Sequence, residues 1–179
     1  FMKSIKSVEE LTTVLNTTAV KDFASVIKRV HIDIEDLESY MTWKEACYTR
    51  NCLGKTDDYE LILLCWDKGV ETPIHGHGGE DCWVYQMEGV VQEIRFEENE
   101  NEELIEKQRI TLEPGKLTYM NDEMGYHTIK NIGSSRAITL HVYASPIHSC
   151  KVYDDDKGTF ELKELSYHSY KGNSLTPSV

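Results

Sequence analysis

Apolar and polar positions change rhythm once along this chain. Up to about residue 41, apolar side chains recur three or four positions apart: Val8, Leu11, Val14 and Leu15, then Phe23, Val26 and Ile27. That spacing places them on one side of a helix. Ser7-x-x-Glu10 adds the form of a capping box at the start of the first one. The pattern predicts a helical part over about 4–41, with a second helix over about 21–30 and a short third near 33–41. After Trp43 the texture becomes short β-rich runs separated by turn residues such as "EENEN", "EPG", "NIGSS" and "DDDKG". Strands are expected near 46–52, 59–67, 71–75, 81–87, 90–97, 103–111, 116–120, 126–131, 136–144, 149–154 and 159–164. Short strands at near-regular spacing indicate a β-sandwich or barrel. The expectation is a single, mainly β domain over 1–179: helices first, a barrel over about 44–165, and a polar tail, "KGNSLTPSV", that is poorly ordered.

Length and charge narrow the function. A chain of 179 residues buries a substantial single core. Its net charge of −12, with no dense Lys/Arg run, argues against nucleic acid or an anionic membrane as the main partner. The longest apolar run, "LILLCW", has strand length, well short of the roughly 20 residues that cross a bilayer. No secretory signal is read at the N-terminus. The five cysteines are scattered, odd in number and free of any CxxC, unlike a disulfide framework. Reduced thiols, a cytoplasmic location and a monomer are the expectation.

The chemistry gathers in "PIHGHGGEDCWVYQMEG", residues 73–89. On a strand, residues i and i+2 project from one face, so His75 and His77 point together, as two ligands of one metal would. Two exposed histidines in a Gly-rich loop would give the same H-x-H, so the flanking spacing has to decide. Gly69-x5-His75-x-His77-x4-Cys82-x6-Gly89 has the spacing of the first cupin motif, with cysteine where that motif carries glutamate. Downstream, His127-x3-Asn131 resembles the second cupin motif, although no proline lies between Gly115 and His127. Two histidines and a carboxylate would offset part of a divalent charge. Three neutral imidazoles offset none and favour an anionic ligand such as a thiolate. Zinc also accepts three histidines, so the ligands alone leave the metal open.

From about Trp43 to Tyr153 the sequence resembles the cysteine dioxygenases, the thiol-oxidising branch of the cupins. The likeness rests on "CYTRN", "LILLCW", "PIHGHGGEDC", "YHTIKN" and "LHVYASPIHSC". It implies a cupin double-stranded β-helix, Fe(2+) held by His75, His77 and His127, and conversion of L-cysteine plus O2 to cysteine sulfinate. It also implies that Arg50 binds the substrate carboxylate with help from Tyr48, and that His141 orients Tyr143. Cys82 and Tyr143 would be joined in a thioether crosslink. Trp66 and Cys150 would belong to the pocket wall and its entrance; His31, His148 and His168 receive no role. The family often follows the tyrosine with Ser-Pro and a cis peptide, where this chain has Ala144-Ser145-Pro146. A dioxygenase for 3-mercaptopropionate, a non-catalytic cupin that senses a metal or ligand, and a zinc enzyme or isomerase are the alternative readings.

Overall fold

The computed structural model describes residues 3–175. The helical part contains α1 (Val8–Leu15), α2 (Phe23–Ile27) and α3 (Ile34–Leu37), with single 3-10 turns at Val20–Asp22 and Glu38–Tyr40. The Ser7 side chain caps α1 by accepting from the Glu10 N–H at 3.1 Å. Glu10 reaches back to the Lys6 N–H at 2.8 Å, one residue before the cap, so the box closes with a shifted partner. The second helix is shorter than the 21–30 the spacing predicts. Ile5 pairs in parallel with Val30, through Ile5 N–H to Arg29 O and His31 N–H to Ile5 O, both at 2.8 Å. That pairing needs extended backbone at the position where the helix would have continued.

Twelve strands follow among the described residues. Seven form one sheet: β1 (Tyr48–Lys55), β2 (Tyr59–Trp66), β3 (Cys82–Glu88), β6 (Leu117–Met120), β8 (Ala137–Ala144), β11 (Ser169–Tyr170) and β12 (Asn173–Ser174), in the order β12-β11-β1-β2-β8-β3-β6. β2 and β8 are buried along their whole length, because both faces of this sheet are covered. Leu61, Leu63 and Cys65 pack with the helices, together with Leu140 and Val142. Ile62, Leu64 and Trp66, on the other face, pack with Cys82, Val84, Tyr143 and residues of the opposite layer. A strand buried on both faces reads as a continuous apolar run rather than an alternation, which is what "LILLCW" is.

The opposite layer is built from β5 (Leu104–Leu112), β4 (Val91–Glu98) and β7 (Tyr126–Asn131), in that order, and from the hairpin of β9 (Ser149–Asp154) with β10 (Thr159–Glu164). Between these two pieces runs the segment predicted as a strand over 71–75. It forms only isolated bridges, Glu71 to Lys130 and His75 to both His127 and Val152. Pro73 has no N–H to give a ladder. Residues 74–76 are instead clasped on both sides. His75 and His127 exchange N–H···O bonds at 3.0 and 3.1 Å, while Gly76 N–H meets Lys151 O at 2.9 Å and Tyr153 N–H meets Ile74 O at 2.8 Å. Gly78 follows at φ +65, and a Cβ there would lie 2.6 Å from the Ser149 carbonyl, so the turn after His77 requires glycine.

The two layers face each other as a mainly β jelly roll; the ladders do not close into a continuous barrel among the described residues. Part of the tail expected to lack order is a tight hairpin. Lys171 and Gly172 both have positive φ, and Asn173–Ser174 pair back onto Ser169–Tyr170. Such a pair of central residues gives a turn whose twist matches the strands it joins. Residues 176–179 of that tail lie outside the described residues. After Tyr143 no peptide is cis among the described residues, and Ser145 takes φ +70 with its N–H bonded to Asp58 O at 3.0 Å.

Candidate functional site

Strand register places most of the candidate residues in rows on the inner face of the large sheet. Tyr48 stands opposite Trp66, Arg50 opposite Leu64, and Leu64 opposite Thr139. His141 lies between Ile62 and Val84, and Tyr143 between Glu60 and Cys82. The three histidines come from the opposite layer: His75 and His77 from the clasped segment, His127 from β7. His75 and His77 therefore converge because their segment is held against β7 and β9, not because they lie on a regular strand.

The His127 Nε2 atom lies 3.1 Å from His77 Nε2 and 3.2 Å from His75 Nε2. The donor atoms of all three lie within 4.8 Å of one another. Two ligands each about 2.1 Å from a shared ion would be about 3.0–3.4 Å apart, so the spacing fits a metal. The outward nitrogens agree. His75 Nδ1 is 3.0 Å from the Pro73 carbonyl, and His127 Nδ1 is 2.7 Å from Glu93 Oε1. An N–H at each of these positions leaves Nε2 as a bare lone pair aimed at the cluster. Burial first, then the neighbouring histidines, push His75 and His127 well below the ordinary imidazole range, with Arg50 acting on His75 and Arg95 on His127. These two rings are neutral at physiological pH and ready to ligate.

Two carboxylates hold the cluster from behind, and the sequence reading did not find them. Asp122 accepts the His77 N–H at 2.5 Å and the Gly79 N–H at 2.7 Å, and its Oδ1 lies 3.7 Å from His77 Nδ1. The His77 side chain, and after it these two N–H groups, hold the Asp122 carboxyl down to about 2. Glu93 is fully buried. Besides His127 it accepts from Thr118 Oγ1 at 2.8 Å and pairs with Arg95 at 3.3 Å. Its signal was local: in "VQEIRF" it takes the inward position next to Val91 in a period-two pattern, and an acid there needs a partner. Asp122 carries no comparable linear signal.

On the other side of the cluster a small cavity is lined by Tyr48, Arg50, Trp66, His75, His141 and Tyr143, among others. Cys150 also lines it. Tyr48 packs on Trp66 with ring centroids 5.1 Å apart. The Nε and Nη2 atoms of Arg50 are buried without a hydrogen-bond partner, although a buried cation needs an anion. The Arg50 backbone is fixed by His168, whose Nδ1 accepts its N–H at 3.1 Å and whose N–H donates to its carbonyl at 2.7 Å. His168 was given no role from sequence, and this is the one the structure shows. Trp66 Nε1–H donates to Thr139 Oγ1 at 2.8 Å, and Thr139 Oγ1 lies 2.8 Å from His141 Nε2. The Thr139 hydroxyl thus joins the indole N–H to the His141 ring in one buried chain. The other ring nitrogen of His141, Nδ1, is buried with no partner. Burial, with Arg50 next, holds this imidazole well below its ordinary range.

Cys82 and Tyr143 stand directly opposite each other in the β3–β8 ladder and both are buried. Burial raises each well above its ordinary value; Cys82 raises Tyr143 further, whereas the Tyr143 side chain offsets part of the rise at Cys82.

The model of the cysteine dioxygenase type I family matches residues 3–156. The chain belongs to the cysteine dioxygenase type I family. It is 26% identical over 157 residues to cysteine dioxygenase type 1 of Rattus norvegicus and of Homo sapiens, covering 86% of this chain and 78% of each relative. The Danio rerio protein of the same name is 23% identical over 158 residues, covering 86% of this chain and 79% of the relative. Among solved structures, a Klebsiella pneumoniae protein with a double-stranded β-helix domain matches with a TM-score of 0.51 at 16% identity, over 72% of this chain and 87% of that one. An oxalate decarboxylase of Lactobacillus farciminis matches with a TM-score of 0.50 at 19% identity, over 62% of this chain and 32% of that one. Both structural likenesses concern the fold. Family and geometry together give a cupin with a three-histidine site able to hold a metal.

Proposed function

We propose that this protein is an iron(II)-dependent thiol dioxygenase that oxidises L-cysteine with O2 to cysteine sulfinate. The observation that carries the reading is the Arg50 guanidinium, whose buried Nε and Nη2 atoms lack a partner and which lines one cavity with His75 of the three-histidine cluster. A ligand that satisfies both has a carboxylate at one end and a metal-binding thiolate at the other. The family supports the same substrate class, and the family relatives bear the name of this activity.

Iron(II), when bound by His75, His77 and His127, supplies the redox chemistry that allows dioxygen to react with a thiolate. The reaction balances as one thiol plus one O2 giving one sulfinic acid. The chain's own groups position and exclude. Three neutral imidazoles leave the metal charge uncancelled, which favours a thiolate over a thiol. Arg50 offers a planar fork for the carboxylate, and the Tyr48 hydroxyl, whose proton burial holds more tightly, is a second donor toward it. Tyr143 O–H presents a donor beside the reacting sulfur and oxygen atoms, with the His141 ring next to it, in a cavity walled by Trp66 and Leu64 that keeps bulk water out. Cys82, the ladder partner of Tyr143, fixes its ring by a thioether link.

Oxygen uptake by iron-loaded protein over a panel of thiols tests the reading. L-cysteine is the expected best substrate. Faster uptake with 3-mercaptopropionate would transfer the assignment to that thiol, and no uptake with any thiol would leave a sensing cupin.

A further inference from the structure

Glu60 is a fully buried acid that the positioning scheme above does not use. It lies on β2 in the inward set with Ile62, Leu64 and Trp66, directly opposite Tyr143 in the β2–β8 ladder. Its two oxygens have separate partners. Oε1 accepts from the Tyr167 hydroxyl, and Oε2 from the Ile147 N–H at 3.4 Å. Donors on both oxygens are the pattern of a carboxylate rather than of a carboxylic acid. Ile147 and Leu165, two residues before Tyr167, line the cavity. The carboxylate therefore sits just behind that wall.

A buried anion of this kind needs a positive charge. Burial raises the Glu60 carboxyl, and Arg50 is the strongest opposing influence, ahead of Lys55 and His148. No ion pair joins Glu60 to Arg50 among the described residues, so the compensation acts through space across the wall. Arg50 lines the same small cavity as Tyr143 and Ile147, the ladder partner and the hydrogen-bond partner of Glu60, so the guanidinium and this carboxylate border one cavity. Any carboxylate that enters must share the guanidinium's field with Glu60.

We propose that Glu60 is a specificity-determining residue of this cavity: its carboxylate offsets part of the Arg50 charge, so thiols bearing a carboxylate are favoured less strongly than Arg50 alone would favour them. The inference rests on the thiol-binding reading above. It gives Glu60 and Arg50 opposite effects on one selectivity ratio.

The test compares L-cysteine with cysteamine, which lacks the carboxylate, in the wild-type protein, Glu60→Gln and Tyr167→Phe. Two quantities are read for the iron-loaded protein: the ratio of kcat/KM values in air, and the ratio of Kd values by anaerobic calorimetry. Glu60→Gln removes the charge and keeps an acceptor of the same shape. It should shift both ratios toward cysteine by about threefold to tenfold, the size of one unit charge acting across a protein interior. Tyr167→Phe keeps the charge and loses a hydrogen bond, and should leave both ratios in place. Equal changes for the two thiols in Glu60→Gln would show that Glu60 merely latches Ile147 and Tyr167, and would overturn the inference. Binding with the predicted ratio but no oxygen uptake would overturn the catalytic reading alone. A wild-type protein that binds neither thiol would overturn both.

Discussion

Cys82 and Tyr143 are direct partners in the β3–β8 ladder, side by side on the inner face of the sheet. Directly opposed residues have Cβ atoms about 4.5–5.5 Å apart, so the thiol and the phenol ring meet without backbone movement. A link between Sγ and a ring carbon forms with loss of two hydrogens, and iron with dioxygen is the oxidant available. Protein that has turned over with iron should therefore show a mass two hydrogens below the sequence mass, with the peptides bearing residues 82 and 143 joined after reduction. Cys82→Ser should keep iron and part of the turnover, whereas Tyr143→Phe should lose more because the hydroxyl itself goes. A fully active Tyr143→Phe protein, or an unlinked peptide pair after turnover, would contradict this.

Removal of one ligand should release the metal. His127→Ala leaves two imidazoles, and iron retained after desalting should fall to near zero. Glu93→Gln keeps the ligand but weakens the acceptor behind it, so iron affinity should drop by about 10- to 100-fold with the fold retained. Metal analysis of both variants against wild type checks the pair. Full iron occupancy in His127→Ala would remove His127 from the site.

Arg50→Ala should separate substrates by their carboxylate. Loss of a hydrogen bond to a charged group costs about 1.5–3 kcal/mol, or roughly tenfold to more than a hundredfold in kcat/KM for L-cysteine. Cysteamine should be affected far less. An equal loss for both thiols would make Arg50 a structural residue.

Alkaline stability should carry the mark of Cys65. Burial pushes this thiol from its ordinary 9.0 to about 11. The folded chain then holds the proton more tightly than the unfolded one. The associated stability is fully present below pH 9 and is lost as pH rises toward 11. A shift of this size is worth about 2–3 kcal/mol at the upper end. Urea midpoints measured at pH 8, 9, 10 and 11 should fall more steeply for wild type than for Cys65→Ala, whatever the variant's starting stability. Parallel curves would contradict it.

Much of the site was legible because its residues lie at fixed short spacings. Tyr48-x-Arg50 and His141-x-Tyr143 each place two side chains on one face of a strand, and His75-x-His77 and Cys82 stand at motif distances from one another. What spacing could not show is what stands behind them. Glu60 and Glu93 reach the site through ladders that join strands distant in sequence, and Asp122 reaches it from a turn 45 residues after His77. The predicted strand over 71–75 failed for a related reason. Its pattern was β-like, but Pro73 removed a donor, and the segment found partners on two different sheets instead of one. The hairpin over Ser169–Ser174 was read as tail because its strands are two residues each, too short for any period to appear.

The most direct measurement of the central claim is the fate of the oxygen atoms. Iron-loaded protein supplied with L-cysteine under 18O2 should yield cysteine sulfinate in which both sulfur-bound oxygens carry the label, with one O2 consumed per thiol. Formation of cystine in place of sulfinate, or sulfinate oxygen drawn from water, would contradict the account.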